Sequence, residues 1–149
     1  MEIIKAENSG FCFGVKRSVD LAEKALESGK KAYCLGPLIH NPQLVEDFEK
    51  RGLTVIDHEE ALNIKDSLIV IRAHGESKAL KEKLIENGNE LYDATCPVLT
   101  NIYKKITEKE NEGYQVIIFG YKNHTEIIAM DSWINKCIIV GYETEAKNI

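Results

Sequence analysis

Short aliphatic runs rich in β-branched residues alternate with amphipathic stretches along this chain, and that alternation constrains its fold more than any other feature. A parallel strand pair needs a crossover, usually a helix, so strand-like runs separated by helical periodicity argue for βα units around a mostly parallel sheet. The expected fold class is α/β, doubly wound, with parallel sheets flanked by helices. Val15, Val19, Ala22 and Leu26 recur at three- and four-residue steps, which predicts a helix over 15–28 with Gly29 as its stop. Lys31–Gly36 reads as a strand. Asn41 and Pro42 supply an N-cap and a first-turn proline ahead of Leu44, Val45 and Phe48, and Arg51-Gly52 ends that second helix.

Leu53–Ile56 is a short predicted strand, and Ser67–Ile71 is a continuous apolar run of the kind buried on both faces of a central strand. Ser77 caps a helix with Leu80, Leu84 and Ile85 inward, closed by Asn87-Gly88, and Glu90–Asp93 follows as a fourth strand. Pro97 opens a longer helix carrying Val98, Ile102 and Ile106, which ends near Gly113. Gln115–Phe119 reads as another buried strand and begins a second sheet. Cys137–Val140 is one more strand, and Glu143–Ile149 resembles a helix start with nothing after it. The chain is thus expected to hold a first α/β domain over 1–95, including its N-terminal segment, and an incomplete second over 96–149, with no low-complexity linker between them.

A chain of 149 residues buries roughly 70% of its unfolded surface, enough for a core without staples. Its 44% hydrophobic and 29% charged content excludes a mainly disordered protein. A net charge of −5 gives no general attraction to nucleic acid or an anionic membrane, so an anionic ligand needs a local cluster. No apolar run reaches the length of a signal peptide or membrane span, which reads as cytoplasmic. Four cysteines without a C-x-x-C pair read as reduced thiols or metal thiolates rather than a disulfide scaffold.

Cys12, His40, His74, Cys96 and His124 share one kind of position, each just before a predicted helix or just after a predicted strand. In open parallel sheets ligands bind outside the carboxyl ends of the strands, where helix N-termini offer free N–H groups and the positive end of the dipole. Five coordinating side chains at that edge point to one site. Pro97 makes Cys96 the N-cap of its helix, where a thiolate is favoured. Cys12 lies in Gly10-Phe11-Cys12-Phe13-Gly14, with glycines for unusual backbone angles, aromatics to exclude water from the sulfur, and Lys16 and Arg17 adding positive charge. Imidazoles can donate to a phosphate, and Arg72 and Lys122 lie near two of the histidines in sequence. Glu126 reads equally as a general acid and as a helix-start carboxylate. Cys34 and Cys137 read as small hydrophobes, and His58 as a solvated residue. Three histidines binding zinc is the weaker idea, since H-x-x-x-H spacing is lacking, and a cysteine nucleophile paired with histidine stays open.

Four colinear motifs, Gly10-Phe11-Cys12-Phe13-Gly14-Val15-Lys16-Arg17, Gly36-Pro37-Leu38-Ile39-His40-Asn41, Arg72-Ala73-His74-Gly75 and Asp93-Ala94-Thr95-Cys96-Pro97, together resemble the 4-hydroxy-3-methylbut-2-enyl diphosphate reductase (IspH/LytB) family. The resemblance covers essentially the whole chain but only the N-terminal portion of a family protein. It implies reductive removal of a hydroxyl from an allylic diphosphate to give isopentenyl and dimethylallyl diphosphate, the last step of non-mevalonate isoprenoid synthesis. It implies a [4Fe–4S] cluster and a ferredoxin- or flavodoxin-type electron donor. It also implies three similar α/β domains around the cluster, each giving one cysteine, of which this chain holds the first and part of the second.

By motif match, Cys12 and Cys96 are two of the cluster ligands, His40, His74 and His124 are diphosphate-pocket residues, and Glu126 is the acid that protonates the leaving hydroxyl. Thr125 stands where the family usually has proline, Ala129 near a usual glycine and Asn101 near a usual lysine. Neither Cys34 nor Cys137 matches the third ligand position, and the serine/asparagine part of the diphosphate pocket is expected beyond residue 149. The alternative reading is a truncated or degenerate diphosphate-binding fragment without catalysis.

Overall fold

The structure is a computed structural model of the chain that describes residues 2–7 and 9–147. Its main sheet has four strands, β1 (Ala32–Leu35), β2 (Thr54–Ile56), β3 (Leu68–Ile71) and β4 (Glu90–Asp93), all parallel and lying side by side in the order β2, β1, β3, β4. Helices α1 (Phe13–Glu27), α2 (Pro42–Lys50), α3 (His58–Asn63) and α4 (Lys78–Glu86) flank it. Both inner strands are buried at every residue, as the apolar run of β3 predicts. Side chains alternate between the two faces. Ala32, Cys34, Leu68 and Val70 pack with Ala22 and Ala25 of α1 and Phe48 of α2, while Leu35, Ile69 and Ile71 pack with Ala61 of α3 and Leu84 of α4.

The strand order explains this division. From β1 the chain steps outward to β2, then reverses past β1 to β3, and right-handed crossovers place α2 on one face and α3 and α4 on the other. The reversal leaves a crevice outside the carboxyl ends of β1 and β3. Local chemistry starts the helices: Asn41 Oδ1 accepts from Leu44 N at 3.1 Å, and Ser77 Oγ accepts from Leu80 N at 3.3 Å. The sequence reading has no helix at α3. Its signal is a capping box, in which Asp57 accepts from Glu60 N at 2.8 Å and Glu60 accepts from Asp57 N at 2.9 Å.

Beyond β4, α5 (Pro97–Asn111), β5 (Val116–Phe119), α6 (Thr125–Asp131), β6 (Cys137–Val140) and the short α7 (Glu143–Ala146) form a smaller unit around one parallel strand pair. Asn148 and Ile149, part of the expected terminal helix, lie outside the described residues. The expectation of a wholly buried β5 is corrected. Val116 and Ile118 pack with Ile127 of α6, but Ile117 and Phe119 are 42% and 74% exposed. Helices cover only one face of this pair, so its apolar run is buried on alternate residues.

Glu110 pins the turn into β6 by accepting from the backbone N–H groups of Asn135 and Lys136, each at 2.8 Å. These bonds, that from Asn135 foremost, hold its carboxyl below the ordinary glutamate range. A carboxylate whose pKa falls on folding stabilises above its unfolded pKa, and the contribution disappears as pH drops through the folded value. Glu110→Gln is therefore expected to lower the melting temperature at pH 7, with the gap to the parent closing below about pH 4. Circular dichroism melts across that range check it, and a gap undiminished at low pH would show that the carboxylate's charge is irrelevant.

Candidate functional site

The register that pairs Leu35 with Ile71 carries both strands out of the sheet side by side, β1 into Gly36–His40 and β3 into Arg72–His74. His40 and His74 meet across the crevice, Nε2 to Nε2 at 3.0 Å with their rings edge to face. At that distance one ring donates and the other accepts, so both cannot carry a proton on Nε2. Burial, then His40, then Arg72 depress the pKa of His74, and Glu126 opposes them. His74 Nδ1 is buried without a hydrogen-bond partner among the described residues. A pocket of about 270 Å³ opens here, lined by Phe11, Val15, Ile39 and Asn41 together with both histidines.

Cys12 is the N-cap of α1 and Cys96 the N-cap of α5, as the position of Pro97 predicts for the latter, and neither side chain makes a capping bond. Both sulfurs lie against Gly14. A Cβ built there would stand 3.0 Å from Cys96 Sγ and 4.0 Å from Cys12 Sγ, so glycine keeps the space between the two thiols clear. The expected aromatic shield is not found. Phe11 and Phe13 are both more than half exposed, and Cys12 is exposed too, because nothing in the described chain packs over them.

Hydrogen bonds from α1 to the exit of β4 bring the thiols together. Arg17 donates to the carbonyls of Asp93 at 2.8 Å and Thr95 at 3.2 Å, and Ser18 Oγ donates to that of Ala94 at 3.3 Å. Arg17 is thus a docking residue rather than a free charge beside Cys12, and Lys16 pairs with Asp20 on the surface. Asp93 shapes the same turn: its carboxylate accepts from Thr95 N, from the Thr95 hydroxyl and from Lys81 Nζ. Burial alone would raise the Asp93 pKa, but Lys81 and Thr95 hold it below the usual aspartate range. Cys96 N then donates to Ala73 O at 2.9 Å, joining the cysteine turn to the His74 loop.

His124 caps α6, its Nδ1 accepting from Glu126 N at 3.3 Å, which leaves Nε2 to carry the proton of the neutral ring. Glu126 is half-buried, and both residues act electrostatically on His74, although neither lines the pocket beside the histidine pair. Thr125 begins this helix, Ala129 is buried against Leu99 and Tyr103, and Asn101 is exposed on α5.

His58 is not simply solvated. Its Nε2 lies 3.1 Å from both carboxylate oxygens of buried Glu76, which also pairs with Arg72, a network between distant residues that no local spacing announces. Burial pushes the Cys34 thiol up to about 12. Cys137 is likewise pushed up to about 12, by burial and then by Asp131, to which its Sγ donates at 2.7 Å. Among the described residues no three His, Cys, Asp or Glu side chains form a metal-binding group. No described helix is long and apolar enough to cross a membrane. A cleft of about 440 Å³ between α4 and α5, lined by Lys81, Tyr103, Lys104 and Trp133 among others, contains none of these histidines or cysteines.

The family model described as LytB protein matches residues 3–149. The 4-hydroxy-3-methylbut-2-enyl diphosphate reductase of Caldanaerobacter subterraneus subsp. tengcongensis is 42% identical over 153 residues, an alignment covering 100% of this chain and 53% of the relative. That of Clostridium perfringens strain 13 is 43% identical over 150 residues, covering 99% and 53%. The chain spans about half the length of these curated relatives. A solved structure of (E)-4-hydroxy-3-methyl-but-2-enyl diphosphate reductase, the terminal enzyme of the non-mevalonate pathway, matches with a TM-score of 0.88 at 38% identity, over 98% of this chain and 53% of that one. The structure of the Plasmodium falciparum E-1-hydroxy-2-methyl-but-2-enyl-4-diphosphate reductase matches with a TM-score of 0.85 at 27% identity, over 96% and 45%. With a sequence match running from residue 3 to residue 149 and a parallel α/β fold shared with these reductases, the chain belongs to the LytB protein family.

Proposed function

We propose that this chain is the N-terminal portion of a reductase that removes the hydroxyl of 4-hydroxy-3-methylbut-2-enyl diphosphate to give isopentenyl and dimethylallyl diphosphate. The observation that carries the reading is the meeting of Cys12 and Cys96 at Gly14. Replacing a hydroxyl by hydrogen consumes two electrons and two protons and releases water, so the site needs an anion pocket, a proton donor and an electron source. The residues suit a [4Fe–4S] cluster. Two thiols stand at the positive ends of two helices, neither engaged in capping, with no Cβ between them, whereas a mononuclear ion would lack a third ligand among the described residues. Cys12 and Cys96 would hold the cluster in part, its third thiolate coming from outside these residues. When bound, it supplies electrons, received from a ferredoxin- or flavodoxin-type partner, together with Lewis-acid character.

The remaining roles fall to the strand ends. His40, His74 and His124 bind the diphosphate through ring N–H groups, bonds that strengthen when the imidazoles are charged. Glu126 gives its proton to the leaving hydroxyl, so that water departs instead of hydroxide. The two α/β units divide between Thr95 and Cys96, which sets the site where they join.

In a reductase spanning the relatives' full length, anaerobic reconstitution is expected to yield about four iron and about four acid-labile sulfide per chain, lost on Cys12→Ser or Cys96→Ser. No bound iron would refute the cluster reading. Gly14→Ala, which crowds both sulfurs, is expected to cut the iron content while leaving the circular dichroism spectrum unchanged. In a reductase spanning the relatives' full length, Glu126→Gln is expected to lower kcat by about 10²- to 10⁴-fold with little change in substrate affinity. An unaltered kcat would remove its acid role.

A further inference from the structure

Arg72 follows the last residue of β3, and its side chain is only 13% exposed. It pairs with Glu76, itself 8% exposed, at 3.7 Å, beyond hydrogen-bond length, and its Nε is buried without an acceptor among the described residues. A buried guanidinium held this loosely keeps much of its charge uncompensated. The parallel register sets it over Gly36, where a Cβ would lie 2.9 Å from Nη1 and where φ is +72°. Glu76 also engages His58 at the start of α3. Three strand ends therefore meet at one ionic knot: Gly36 after β1, His58 after β2, and Arg72 with Glu76 after β3. Gly36 opens the loop that carries His40, and Arg72 stands two residues before His74.

We propose that Arg72 is a positioning residue acting through His74: its fixed charge keeps His74 neutral and hydrogen-bonded to His40 while the pocket is empty, and an arriving diphosphate offsets that charge, so His74 takes a proton and both rings turn to the anion. Glu76, divided between Arg72 and His58, sets how much of the field reaches the pair. This rests on the reading of the crevice as a diphosphate pocket. The charged groups that face His74 are His40 from the β1 loop, Arg72 from its own strand end, and His124 and Glu126 from α6. Three of these four oppose a proton on His74 and only Glu126 favours one. A polyanion reverses that balance, and binding becomes linked to proton uptake.

The test titrates the chain with inorganic pyrophosphate by calorimetry in buffers of different ionisation enthalpy, and follows the His74 ring by NMR. The parent is expected to take up about one proton on binding near neutral pH. Arg72→Met is expected to raise the His74 pKa and weaken pyrophosphate about tenfold. Glu76→Gln is expected to move His74 the opposite way. A general loosening of the crevice would drive both variants upward toward the solvent value. A rise in Glu76→Gln, or an unmoved His74 in Arg72→Met, therefore overturns the proposal, and Arg72→Gln serves where the Met variant does not fold. If His40→Asn binds pyrophosphate as tightly as the parent, the diphosphate-pocket reading itself fails. Weakened binding by His40→Asn with unaltered affinity in Arg72→Met sinks only the role of Arg72.

Discussion

The docking of α1 on the exit of β4 is the interaction on which the rest of the site depends. Arg17 and Ser18 bind three successive carbonyls, those of Asp93, Ala94 and Thr95, which would otherwise be left without partners as the strand ends. Alanines at positions 22 and 25 let the same helix lie close on the sheet, and both are fully buried. Remove this docking and Cys12 belongs to one helix while Cys96 belongs to another, with nothing to bring their sulfurs to Gly14.

Electrostatics separates this edge from the rest of an acidic chain. Besides Glu126, two carboxylates close to it are already engaged: Asp93 by Lys81 and Thr95, and Glu76 by Arg72 and His58. What remains is a concentration of donors, from the N-termini of α1, α5 and α6 to the paired imidazoles. A net charge of −5 is thus compatible with strong anion affinity, because the balance that matters is local.

Much of the main sheet was legible because burial and periodicity agree there. The continuous run at β3, the Asn41-Pro42 helix start and the Cys96-Pro97 cap all follow from short-range chemistry, and the structure has each of them. That His40 and His74 would touch was only half legible: their shared position after strands could be read, but their contact depends on β1 and β3 being neighbours at the point where the winding reverses. The rest needed partners far apart in sequence. Arg17 read as a charge beside Cys12 because its carbonyl partners lie more than seventy residues away, and His58 read as solvated because Glu76 is not its neighbour in the chain. Ile117 and Phe119 looked like core because apolar runs alone do not say how many faces a sheet has covered.

The span of the Arg17 contacts also orders events during synthesis. The bond from Arg17 to Asp93 closes a loop of 76 residues. Ribosomes add roughly 5–20 residues each second, so α1 waits on the order of 4–15 s before the strand exit it docks against has even been made. Closing so long a loop gains nothing until β1, β3 and β4 have paired. Cys12 therefore emerges early but acquires its partner late, and any cofactor spanning the two thiols can only be inserted into a chain in which β1, β3 and β4 have already paired.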